Sequence, residues 1–157
     1  MNNKIKFLGL ALLSFIIIST SCSKKTDDKI EEVLGPIFTV SIAGGDNYKS
    51  TTGHGQMVAG KFLITSDKAD KEIFLFIKKF EKGKYKFDDL VNNATFTMDK
   101  SDPTKIFTSV KSASDWVEIT KIHTDNTTFD GKFSFTCQNA AGDAKVITGT
   151  WVNLKKK

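Results

Sequence analysis

The sequence predicts an all-β protein: a single antiparallel sandwich or flattened barrel of about nine or ten short strands. Three observations carry this. Beyond residue 36 the apolar residues recur at every second position, in runs too short for ordinary helices. Clusters of Gly, Asp, Asn and Ser separate the runs. No stretch after residue 36 keeps a 3.6-residue period over a helix length.

The elements follow in order. Ile37–Ala43 alternates, with Phe38, Val40 and Ile42 on one face. Gly44-Gly45-Asp46-Asn47 turns the chain into a short strand over Tyr48–Thr51. Gln56–Thr65 is read as one strand with Val58, Phe62 and Ile64 in phase, and Asp67–Lys71 as the turn after it. Glu72–Phe80 holds Ile73-Phe74-Leu75-Phe76-Ile77, apolar on both faces. Such a strand is either buried on both sides or exposes a Phe patch. Glu81–Lys84 turns again, and Tyr85–Phe87, Ala94–Met98 and Lys105–Val110 are weaker strands, with a loop at Asp102-Pro103. Trp116–His123, Phe129–Gln138 and Lys145–Leu154 close the chain. In the last hairpin Phe129, Phe133, Phe135 and Cys137 share a face with Ile147 and Trp151, and Asn139–Ala144 turns between the strands. A one-residue slip there would move the Phe side chains into water, so the register is firmly set.

The amino terminus reads differently. Lys4 and Lys6 precede an apolar run, Phe7–Ile18, and small residues lead to Cys22. This is the pattern of an export signal. As a helix the run would span roughly 18 Å against a hydrocarbon core of about 30 Å, too short for a permanent span. Ile18-Ser19-Thr20-Ser21-Cys22 resembles a lipobox, with Ser19 where Leu is commonest. That resemblance implies acylation of Cys22 and attachment to a lipid bilayer. The organisation is then a signal peptide over 1–21, an acylated Cys with a polar tether over 22–35, and a β domain over 36–157. Residues 23–35 as a coil hold the domain on the order of 20 Å from the bilayer. With Cys22 acylated, Cys137 is left without a partner, and a lone thiol in an exported protein belongs in the core.

Charge excludes several function classes. The chain has 23 basic residues, all Lys, against 18 acids. Loss of Lys4 and Lys6 with the signal leaves 21 against 18, and three of those Lys form the tail Lys155–Lys157. No clustered basic face and no Arg fork is visible, so nucleic acid is not an expected partner.

Candidate sites are few. His54 lies in the Gly-flanked segment Thr51-Thr52-Gly53-His54-Gly55, close to Tyr48. His123 is expected in an exposed loop. Two distant His make no zinc motif, so no metal is expected. Asp125-Asn126-Thr127-Thr128-Phe129-Asp130-Gly131 is dense in oxygen ligands but fails calcium-loop spacing, and reads as a turn whose Asp bonds its own backbone. No nucleophile elbow is present, and nothing selects a carboxylate pair. No catalytic residue and no cofactor is therefore assigned. Trp116 is opposite in phase to Val117 and Ile119, which puts it on an outer face as a platform for a sugar or partner. Tyr48, His54 and Trp116 are the candidate ligand-binding residues.

The pieces Phe38–Ile42, Ile119-Thr120, Phe129–Asn139 and Ile147–Asn153 resemble a family of uncharacterised small lipoproteins of Bacteroidota. The resemblance implies an all-β fold and a cell-envelope location. The acidic pairs Asp27-Asp28 and Glu31-Glu32 behind Cys22 also resemble surface-export signals of that group. The expectation is an outer-membrane lipoprotein facing the periplasm or the cell surface. It would serve as a binding or accessory module for a glycan, a lipid or an envelope protein. A structural envelope protein, and then a small hydrolase, are the alternatives.

Overall fold

The computed structural model describes residues 35–45, 47–87 and 91–157; the signal segment, Cys22 and most of the tether lie outside them. The described residues form eleven strands and no α-helix. In chain order these are β1 (Ile37–Ile42), β2 (Tyr48–Ser50), β3 (Thr52–Val58), β4 (Lys61–Lys68), β5 (Lys71–Ile77), β6 (Gly83–Phe87), β7 (Asn93–Thr97), β8 (Ile106–Ser109), β9 (Ser112–Ile122), β10 (Thr128–Gln138) and β11 (Ala144–Lys156). A 3₁₀ turn at Pro103–Lys105 precedes β8, capped by the Asp102 side chain.

One strand differs from the sequence reading. Gln56–Thr65 is not continuous: Ala59 (φ 49°) and Gly60 (φ 78°) make a tight turn that pairs Val58 with Lys61. The chain reverses there, so Val58 is surface-exposed, while Phe62 and Ile64 enter the core. Splitting this segment, and starting a separate strand at Thr52, raises the strand count above the expected range.

Two layers result. β2-β1-β11-β10-β9-β6 forms one, and β3-β4-β5-β7-β8 the other. They join at two corners, where β8 pairs with β10 through Ser109–Cys137, and β3 with β11 through His54–Lys155 and Gly55–Lys156. The second contact is parallel; the other pairings are antiparallel. Sandwich and flattened barrel are thus one object here, two packed sheets closed at their corners.

Each corner has a polar device. At the first, β10 passes from β9 to β8, and Asp115 Oδ2 accepts the Thr136 N–H at 2.8 Å in the gap. At the second, β11 kinks at Asn153 (φ 53°), and Asp130 Oδ1 accepts the Asn153 N–H at 2.8 Å. The same oxygen lies 3.0 Å from His123 Nε2. His123 is therefore half-buried at the corner, a correction to the exposed loop His expected from sequence. The turn before β10 matches the sequence reading: Asp125 Oδ1 accepts the N–H groups of Thr127 (2.9 Å) and Thr128 (3.2 Å). The Thr127 hydroxyl, and after it these backbone N–H groups, hold the Asp125 carboxyl down at about 2.

The space between the layers is filled by rings. Trp151 stacks on Phe38 at 5.7 Å and on Phe133 at 6.2 Å, and meets Phe129 edge-on at 6.0 Å. Small residues make this possible. A Cβ on Gly131 would fall 2.0 Å from the Trp151 ring, and one on Gly149 2.4 Å from the Phe133 ring. Cys137 is fully buried in the same core, as its phase predicts, and burial pushes its thiol up to about 12.

Candidate functional site

Strand periodicity decides which side chains face outward. On β5, Ile73, Leu75 and Ile77 are fully buried in the interlayer core. Phe74 and Phe76 alternate with them and so face away from it, half-buried. Register extends this outer face across four strands. One row runs Gln56–Leu63–Phe76–Asn93, the next His54–Thr65–Phe74–Thr95. Leu63, on the same outer face, is only 7% exposed. The result is an apolar centre of Leu63, Phe74 and Phe76 edged by His54, Gln56, Asn93 and Thr95. The two-faced apolar strand is thus fully buried on its inner face and half-buried on its outer one, between the two readings open for it.

His54 belongs to this rim. Its Nδ1 lies 3.4 Å from Thr65 Oγ1. Burial, then the charge of Lys157, lowers its pKa below the ordinary value. At neutral pH it is an uncharged polar group able to donate or accept.

Trp116 lies on the outer face of the other layer. Val117 and Ile119 are fully buried, and Trp116 with Glu118 points outward as their phase predicts. Its ring is half-covered, with Lys84 Nζ 4.2 Å and Lys132 Nζ 5.8 Å from the centroid. Lys132 also reaches Glu118 at 3.4 Å. From Trp116 a row of hydroxyls crosses the sheet through Ser134, Thr148 and Ser41, with Thr150 and Thr39 beside it. Between Trp116 and Lys49 at its far edge this row carries hydroxyls and no charge.

Tyr48 points inward and is buried. Burial pushes its phenol up, and its hydroxyl and that of Ser66 are near neighbours without a sound hydrogen bond among the described residues. A shallow open depression of about 480 Å³ lies beside it, lined by residues including Lys49, Ser50, Thr52, Asp67 and Lys68. Tyr48, His54 and Trp116 therefore occupy three different surroundings and do not converge on one site. What the sequence reading did not supply is that Leu63 and His54 join the outer Phe residues of β5 on one face. The signal for this face was the uninterrupted apolar run of β5, which shows the patch only once Leu63 is known to pair beside it.

Among the described residues no group of three or more His, Cys, Asp or Glu side chains gathers to hold a metal ion, and no helix is long and apolar enough to cross a membrane.

No curated protein and no solved structure matches the chain. Residues 36–153, nearly the whole closed barrel, match the family described as a domain of unknown function, DUF6252, and the chain belongs to that family.

Proposed function

We propose that this protein is an acylated lipoprotein of the cell envelope whose β domain is a binding module, with the Leu63–Phe74–Phe76 face as its ligand surface. One observation carries the site: two Phe side chains point outward, side by side, from a central strand. A sheet face in contact with water alone ordinarily alternates to polar residues. An apolar centre with a polar rim is the anatomy of a recognition surface. The sequence from Lys4 to Cys22 supports the envelope location and the lipid anchor, and the finer resemblance to Bacteroidota lipoproteins belongs to this same reading.

The test separates envelope material into protein-free polysaccharide and solubilised membrane protein, each immobilised. Retention of the wild-type protein, lost in Phe74→Ser/Phe76→Ser at a temperature where the variant's melting curve shows it fully folded, is the expected result. No retention on either fraction overturns the binding reading. The anchor has its own check. A clickable palmitate analogue should label the wild type and not Cys22→Ser, and equal labelling of both overturns acylation at that residue.

A second reading is favoured by Trp116. An indole bordered by rows of Ser and Thr hydroxyls suits stacking and hydrogen bonding to a saccharide. It predicts polysaccharide retention that falls in Trp116→Ala and survives Phe74→Ser/Phe76→Ser.

A further inference from the structure

Lysines scattered through the sequence meet at one end of the barrel. The β3–β4 turn brings Lys61 beside Lys78, because Phe62 pairs with Ile77. Phe80 folds over this end, with its ring 4.6 Å from that of Phe62 and 5.2 Å from that of Phe129, and it carries Lys79 and Lys82 with it. Lys156 Nζ sits 4.5 Å over the Phe80 ring. The tail is tied down on both sides. The Lys156 N–H donates to Thr127 O at 2.7 Å, and the Lys157 N–H to Gly55 O at 2.8 Å. Lys61, Lys78, Lys79, Lys82 and Lys155–Lys157 therefore share one end.

The acids described there are fewer than the lysines, and Glu81 offsets Lys79. Asp125 turns into its own loop, and Asp130 caps Asn153. Among the lysines stands an exposed apolar tip, the β3–β4 turn, where Met57 is 54% and Val58 38% exposed. The opposite end has other chemistry. It gathers the Ala69-Asp70 turn, the loop through Lys100 and the turn at Asn139–Asp143, and its Asp67 and Asp70 are paired with Lys100 and Lys71.

We propose that the lysine-ringed end docks on an anionic lipid surface, with Met57 and Val58 entering the headgroup layer. An apolar tip within a ring of cations is complementary to such a surface, where each lysine near the plane adds attraction and the tip adds burial. The geometry of attachment agrees. Ile37, where the preceding chain joins the barrel, pairs with Val152 on the half of β11 that leads to the lysine tail. A tether acylated at Cys22 would present this end to the bilayer. The contact itself is made by the folded domain and needs no acyl group.

The test uses the whole chain in a Cys22→Ser background, mixed with vesicles. Cys137 is fully buried, so an environment-sensitive dye can be carried at Val58→Cys or, on the far end, at Ala140→Cys. With phosphatidylglycerol vesicles the Val58 dye should shift to the blue and lose iodide quenching several-fold, while the Ala140 dye does not change. Lys82→Gln/Lys155→Gln/Lys157→Gln, or vesicles of phosphatidylcholine alone, should restore quenching. The proposal is overturned if the two dyes stay equally accessible on phosphatidylglycerol, or if the Val58 dye is shielded equally by both lipids. Shielding by soluble polyglutamate but not by vesicles would also overturn it, and would assign this end to an acidic macromolecule.

Discussion

At the scale of single residues, the fold depends on a few places where a side chain would not fit. Gly131 is the clearest, since an added Cβ would meet the Trp151 ring at 2.0 Å and the Glu118 carbonyl oxygen at 2.4 Å. The second contact is backbone and cannot swing aside. Gly131→Ala should lower stability by about 1–3 kcal/mol, measured by urea unfolding, whereas an exposed change such as Ala140→Ser should have no effect. Cys137 makes a different prediction. Burial first, against a smaller opposing effect of Lys145, pushes its thiol to about 12 from an ordinary 9.0. The folded state holds this proton more tightly than the unfolded state. The stability linked to it is complete below about pH 9 and is lost as pH rises toward about 12. Wild type should thus lose stability across that window relative to Cys137→Ala, and the thiol should resist alkylation at pH 8 until the protein unfolds. The core position of Cys137 was legible in the sequence because β10 alternates without a break. The cradle at Gly131 was not, because a glycine inside a strand does not say which ring lies over it.

At the scale of elements, strands with strict alternation and the turns marked by Gly, Asn and Asp were readable, and the β3–β4 reversal was not. The faces of the β10–β11 hairpin were recovered because three Phe alternate along β10, while the bulge between Phe129 and Gly131 was not foreseen. The β3–β4 hairpin was missed because Ala59 is a poor sign of a left-handed turn, although Gly60 follows it. The outward Phe74 and Phe76 were visible as an apolar run, but their face was decided only by pairing with β4. The β9–β8 fork was illegible for the same reason, since it depends on Asp115 from one strand capping the backbone of another. That cap makes the third prediction. Asp115→Ala removes the acceptor of the part-buried Thr136 N–H and should cost about 1–3 kcal/mol by leaving that donor unpaired. Asp115→Asn keeps a carbonyl oxygen in place and should retain most of the stability. Amide exchange at Thr136 is the direct check: it should speed up in the Ala variant relative to its neighbours on β10.

At the scale of the whole molecule, closure rests on the last residues of the chain. A path along paired residues from Lys155 through His54, Thr65, Phe74, Thr95, Thr108 and Gln138 returns to β11 at Ala144, at the other end of the same strand. The barrel is therefore strongly staggered, and one long strand serves both sheets by kinking at Asn153. The family match ends at that kink, so Lys155–Lys157, which complete the second corner, lie beyond it. Removing Lys155–Lys157 should open this corner without dissolving the core, because Trp151 and Leu154 remain. The loss of the Lys156 and Lys157 backbone bonds should cost about 1–3 kcal/mol in urea, with an unchanged m-value. The same deletion removes one of the two causes that lower the His54 pKa, the charge of Lys157, and leaves less burial around the ring. His54 should then titrate closer to its ordinary 6.5, which proton NMR of the imidazole reads directly. A truncated chain in which His54 titrates as before would mean that the tail does not seal the β3 corner. The lysine-ringed end would then lose the scaffold that holds its charges together.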